Sequence, residues 1–127
     1  MIIPISIDIE EEVRAALAPY VTAYCRPLPA NFTVPSVEIR KTGNSERDKV
    51  NSFLVMLYSR AETEAEADEL LRKTVGLLRT IASEQTTALR FVTINAGGSW
   101  ANDPVRPDLA MCSATLLVVA HESTMEV

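Results

Sequence analysis

Val50–Ala82, VNSFLVMLYSRAETEAEADELLRKTVGLLRTIA, sets a strand and a helix side by side. From about Val50 to Tyr58 the apolar residues fall on both alternation faces, with Phe53, Val55 and Leu57 against Leu54, Met56 and Tyr58. A strand wet on one side would alternate apolar with polar, so this one reads as covered on both. After Thr63 the period changes. Ala67, Leu70, Leu71, Val75, Leu78 and Ile81 make one helical stripe over about 63–82, with Glu64, Asp68, Glu69, Arg72, Lys73 and Arg79 facing outward. Thr63 and Glu66 form a capping box, and Asp68 with Arg72 and Glu69 with Lys73 are favourable i,i+4 pairs. At about 1.5 Å per residue this helix is roughly 30 Å long, enough to cross a sheet. Gly76 inside it predicts a close backbone contact.

Working outward, Asp8-Ile9-Glu10-Glu11 starts a first helix over about 8–18, which Pro19 ends. The acids Glu10, Glu11 and Glu12 suit the positive end of a helix better than a metal cluster. Tyr20–Cys25 is a possible short strand, broken by Pro27 and Pro29. From Pro35 the chain alternates, Val37 and Ile39 inward against Glu38 and Arg40 outward. Lys41–Lys49 reads as a polar hairpin loop projecting from the body. Beyond the long helix, strands are expected over about 88–95 and 109–121. The second has Met111, Leu117 and Val119 on one face and Cys112, Leu116 and Val118 on the other. A loop over 96–108, with Gly97-Gly98, Pro104 and Pro107, would join them.

The order is helix, possible strand, two strands, helix, two strands. It predicts an α+β fold in which a mostly antiparallel sheet of four to five strands is packed by a long helix and a short N-terminal helix. At 127 residues the chain reads as one domain with one core. Two strands apolar on both faces are more than these helices can cover, so a partner is expected and the chain reads as a homo-oligomer.

Composition narrows the partners. A formal net charge of −5 weighs against DNA, RNA or an anionic membrane bound through phosphate. Cys25 and Cys112 form no CxxC pair and read as buried thiols in a reducing compartment. The apolar start, Met1–Ile7, lacks a basic region and meets Asp8 at once, so it does not read as a signal peptide, and no apolar run reaches bilayer length. A cytoplasmic site of synthesis is expected.

Chemistry is sparse. His121 is the single histidine and reads as a strand-end residue. Gly97-Gly98-Ser99 lacks the flanking residues of a phosphate loop and reads as a turn before Trp100, the only tryptophan, which is either a lid on the core or an interface anchor. Asp103 and Asp108 form a conceivable acid–base pair, though Asp beside Pro is ordinary turn chemistry. No catalytic, cofactor or metal site is expected.

The order of features resembles a known family. A Pro-flanked strand, Val34-Pro35-Ser36-Val37-Glu38-Ile39-Arg40, leads to a loop, Thr42-Gly43-Asn44, closing on Arg47-Asp48. A strand ending Leu57-Tyr58-Ser59 precedes the acidic helix start Ala61–Ala67. Gly97-Gly98, Asp103-Pro104 and a final apolar strand follow. Over about residues 8–121 this is similar to the tail-terminator (tail-completion, minor tail) proteins of long-tailed phages and prophages. It departs at Asn44, where a second loop glycine is common, and at Ala120-His121-Glu122, in place of an Arg-Gly-like end. The resemblance implies a sheet flanked by helices and a hexameric ring. That ring would cap the tail tube, dock to the head-connector protein and let DNA pass ungripped. It also implies a loop 42–49 touching a neighbouring ring, with Arg40, Arg47 and Asp48 in inter-subunit ion pairs; Gly43, Asn44 and Trp100 complete the expected interface. The protein would then sit in the virion tail. Two other classes remain: a small ligand- or peptide-binding α/β adaptor, and an enzyme using Asp103, Asp108 or His121.

Overall fold

The strand and helix of residues 50–84 form the centre of the fold. The computed structural model describes residues 1–47 and 50–127, and at 45–47 and 50 the backbone alone. The elements are β1 (Ile2–Ile5), α1 (Ile9–Leu17), β2 (Ala23–Cys25), β3 (Ser36–Arg47), β4 (Val50–Ala61), α2 (Glu64–Glu84), β5 (Leu89–Asn102), β6 (Ala110–His121) and β7 (Ser123–Glu126). Five strands make one sheet in the order β2-β3-β4-β6-β5. Only β2 and β3 run parallel; the other neighbours are antiparallel. The expected α+β architecture, with its long and short helices, is the one observed.

Both helices lie on the same side of the sheet. Alternation in β4 sends Phe53, Val55 and Leu57 beneath them, and in β6 Cys112, Ala114, Leu116 and Val118. From above come Ala67, Leu71, Val75, Leu78 and Ala82 of α2 and Ile9, Val13 and Leu17 of α1. Each large side chain buried here contributes roughly 1.5–3 kcal/mol. The α2 stripe is turned slightly from expectation: Thr74 and Ala82 are buried, Leu70 and Ile81 only in part. Thr74 is satisfied there because its hydroxyl donates to the Leu70 carbonyl at 2.8 Å. Gly76 makes no close contact, since a Cβ built on it meets nothing within 4 Å.

Two expected loops are strands instead. Lys41–Arg47 continues the β3 ladder, with Gly43 opposite Leu54, Asn44 opposite Phe53 and Arg47 opposite Val50, and one bulge between Lys41 and Gly43. The polar sequence hid this. Backbone N–H and C=O groups of β4 need partners along its whole length, whatever side chains the partner carries. Asp48 and Lys49 lie outside the described residues, so the projecting-loop reading is replaced by strand up to Arg47. Likewise β5 runs through Gly97-Gly98 and Trp100 to Asn102, taking up the slack in register shifts near Leu89, Ile94 and Ala96.

The first and last strands were not expected at all. β1 and β7 pair antiparallel as a separate two-stranded ribbon, Ile3 opposite Met125 and Ile5 opposite Ser123. Just past it Ser6 accepts from Asn51 at 3.3 Å and Ile7 enters the core.

Asp8 caps α1 as expected, accepting from the Glu11 amide, and Thr63 caps α2 in the same way. At the far end of α2, Gln85 takes the left-handed conformation, φ 56°, where glycine is the usual residue.

Glu10 ties α1 to the sheet. Its carboxylate accepts from Arg26 at 2.7 Å and from the Lys41 amide at 3.1 Å. Burial pushes its pKa up, but the bonds from Arg26 and the amide outweigh that, and the net shift is below 4.5. A carboxyl lowered on folding stabilises fully above its unfolded pKa, and that stabilisation is lost as pH falls through the folded value. Glu10→Gln should therefore cost about 1–2 kcal/mol at pH 7. Urea denaturation at pH 7 and pH 3 checks this: the gap between variant and wild type should narrow in acid.

Candidate functional site

The helix-free side of the sheet carries the unexpected chemistry. Directly opposed residues share a face, which places Glu38 beside Tyr58, Arg40 beside Met56 and Ser36 beside Arg60. Glu38 was expected to face water, yet it is 1% exposed, Arg60 is 4% and Asp103 is 0%. Arg60 donates from Nη1 to Glu38 at 2.8 Å and from Nε to Asp103 at 2.7 Å. The other Glu38 oxygen accepts from Arg40 at 2.5 Å, and the other Asp103 oxygen from the Val105 amide at 2.9 Å. Two carboxylates and two guanidiniums cancel in charge. The Arg60 guanidinium also lies over the Phe32 ring at 5.5 Å, and Arg40 over Tyr58 at 5.6 Å. Phe32 and Leu109, both buried, stand outside the main core and close this cluster from the helix-free side.

This network settles the position of Asp103. Its Oδ1 makes the turn bond expected of an Asp beside Pro, to the Val105 amide, and its Oδ2 adds the ion pair with Arg60. Both its oxygens are engaged, and its amide donates to the Leu109 carbonyl, folding residues 103–109 onto the sheet. Asp108 is exposed and bonded to Arg106, which holds its carboxyl below the usual range. His121 is exposed at the end of β6. Cys112 is buried and Cys25 half-buried, both as free thiols raised by burial and by nearby acids. Among the described residues no three His, Cys, Asp or Glu side chains converge as a metal site would require.

The residues expected at an interface do not form one patch. Arg40, Gly43 and Asn44 lie on β3, and Trp100 on β5, with β4 and β6 between them. At about 4.8 Å per strand that is some 14 Å. The Arg40 Nε is engaged within the chain by Glu38, which leaves less of it for a neighbour. The side chain of Arg47 and all of Asp48 lie outside the described residues.

What sequence reading missed is the β5 edge. Among the described residues β5 has β6 on one side and no strand on the other. Phe91, Ile94 and Trp100 are each about half exposed on it, at 55%, 48% and 50%. Its only charged side chain is Arg90, so it lacks the lysines that commonly blunt an edge. Phe91 sits opposite Val119 on the helix-free face, Ile94 opposite Leu116 and Trp100 opposite Cys112 on the helix side. Next to it on the helix-free face, Leu54, Met56, Leu117 and Val119 remain partly exposed among Thr93, Ser113 and Thr115. On the helix side a groove of about 310 Å³, mostly apolar, lies between α2 and β5, with Leu71, Val75, Ile94 and Ala114 in its walls. The alternation of β5, obscured by Gly97-Gly98, was the signal that could have found this edge.

Compared with models of known protein families and with curated protein sequences, the chain matches none.

The buried network makes a sharp prediction. Arg60→Met removes the guanidinium bonded to Asp103 and one of the two bonded to Glu38, both carboxylates being buried, and should cost about 3–5 kcal/mol. The triple change Glu38→Leu, Arg60→Met, Asp103→Leu should recover most of that loss. Denaturant midpoints of the two proteins check it: a triple variant no more stable than the single one would overturn the account.

Proposed function

We propose that this chain is a structural subunit that works by assembling with other subunits, and that its setting is the tail of a long-tailed phage, where a ring of such subunits caps the tail tube and meets the head connector. The observation that carries the assembly half is β5, a 14-residue edge strand with an open side and three half-exposed large apolar residues. Such an edge pairs with another chain unless it is covered or charged. The partly exposed apolar residues of the helix-free face favour the same reading. The tail setting rests on the resemblance of feature order to tail terminators, and the acidic balance of the chain suits a ring through which DNA passes ungripped. A second reading, a small ligand- or peptide-binding adaptor, has the α2–β5 groove in its favour.

Size-exclusion chromatography with light scattering separates the two, followed by electron microscopy of the chain mixed with purified tail tubes. The assembly reading expects a discrete oligomer, or rings seated on tube ends. A chain that stays monomeric at every concentration and leaves tube ends bare would end it.

A further inference from the structure

The groove on the helix side and the ribbon at the opposite end of β6 are complementary. Among the described residues the strands of the ribbon ladder only with each other, which leaves its outer edges open. Ile2, Met125 and Val127 are about half or more exposed on it. An isolated two-stranded ribbon is marginal in water, and these side chains stand exposed at its surface. Pro4 removes an amide from the outer edge of β1, which leaves β7 as the edge able to pair. Met125 of β7 and Val127 just past its end, whose amide donates to the Met1 carbonyl, are two apart on one face of extended chain, as a strand lying in an apolar groove requires.

Charge agrees. From Ile2 to Ile5 and from Glu122 to Val127 the only charged side chains are Glu122 and Glu126. The single ion pair of Glu126, to the Met1 amino group, is solvent-exposed. The rim of the groove carries Arg72 and Arg79 against one acid, Asp68. Asp68 is bridged to Arg72, while Arg79 enters none of the ion pairs among the described residues. Gly76 lines the groove, and the space where its side chain would stand is open. The groove touches β6 at Ala114 and the strand ends at His121. Those residues of extended chain span about 23 Å, so the ribbon does not reach the groove of its own subunit.

We infer that the β1–β7 ribbon of one subunit docks in the α2–β5 groove of a second copy, with β7 pairing along the free edge of β5. This rests on the assembly reading and names its contact. A contact that joins one end of a subunit to a different surface of the next is head-to-tail, and such contacts close rings when the rotation allows.

Two surface variants test it. Gly76→Leu fills the groove from an exposed helix position, where the new residue favours helix, so its thermal midpoint should not fall. Met125→Asp places a charge on the docking face of the ribbon. Each should raise the concentration at which the oligomer dissociates roughly tenfold or more. Mixed in equal amounts the two should associate again, but only as pairs, since one supplies the intact groove and the other the intact ribbon. Wild type that assembles while both variants assemble equally well would overturn the ribbon contact alone. Wild type that forms a closed dimer, weakened by both variants, would support the contact and count against the ring. A wild-type chain that is monomeric at every concentration and also leaves tube ends bare would overturn both.

Discussion

Both helices lie on one face of the sheet, so alternation along β4 and β6 sorts every side chain into a packed side or a side that must find other cover. On the packed side the outcome is an ordinary apolar core around Phe53, Leu57, Leu78 and Leu116. On the other side the chain uses two devices. Near one end, residues 103–109 and Phe32 fold over a charged cluster; elsewhere Leu54, Met56, Leu117 and Val119 stay partly exposed. The open face is thus a direct result of having two helices and both of them on the same side.

The charged cluster shows how a sheet face can be closed without a helix. Arg60 reaches two carboxylates from different parts of the chain, one on β3 and one past β5. With Arg40 on Glu38 the cluster's net charge is zero, and every buried side-chain nitrogen and oxygen among the described residues finds a partner. A buried ion pair adds little stability over a well-packed apolar group, but it tolerates only one arrangement. Here it fixes where the chain after β5 crosses back, and so where β6 begins.

Much of the fold was legible. The double-sided apolar runs located β4 and β6, the helical stripe located α2, and caps at Asp8 and Thr63 located the helix starts. Strand lengths were not legible, because Lys41–Arg47 and Ala96–Asn102 look like loops by composition and become strands by pairing with apolar neighbours. β1 and β7 were missed because four-residue strands whose partner is more than a hundred residues away leave no local pattern. Of the candidate interface residues, Trp100 falls on the open edge, while Arg40 proves to be bonded inside its own subunit. Glu38 was read as an outward-facing strand residue, and Asp103 as a turn residue or a conceivable partner of Asp108. Only the approach of Arg60 from a third segment makes them a site.

The strand order β3-β4-β6-β5 has a consequence for how the protein is made. β6 lies between β4 and β5, yet it follows both in the chain. While the polypeptide is still emerging during synthesis, β3 and β4 can close as a hairpin and α2 can begin to form. β5, by contrast, has no neighbour until β6 arrives. For that interval two long strand edges stand open with apolar residues on them, the state from which chains aggregate or are held by chaperones. The keystone is laid last, and nascent chains stalled before Ala110 are the species most in need of protection.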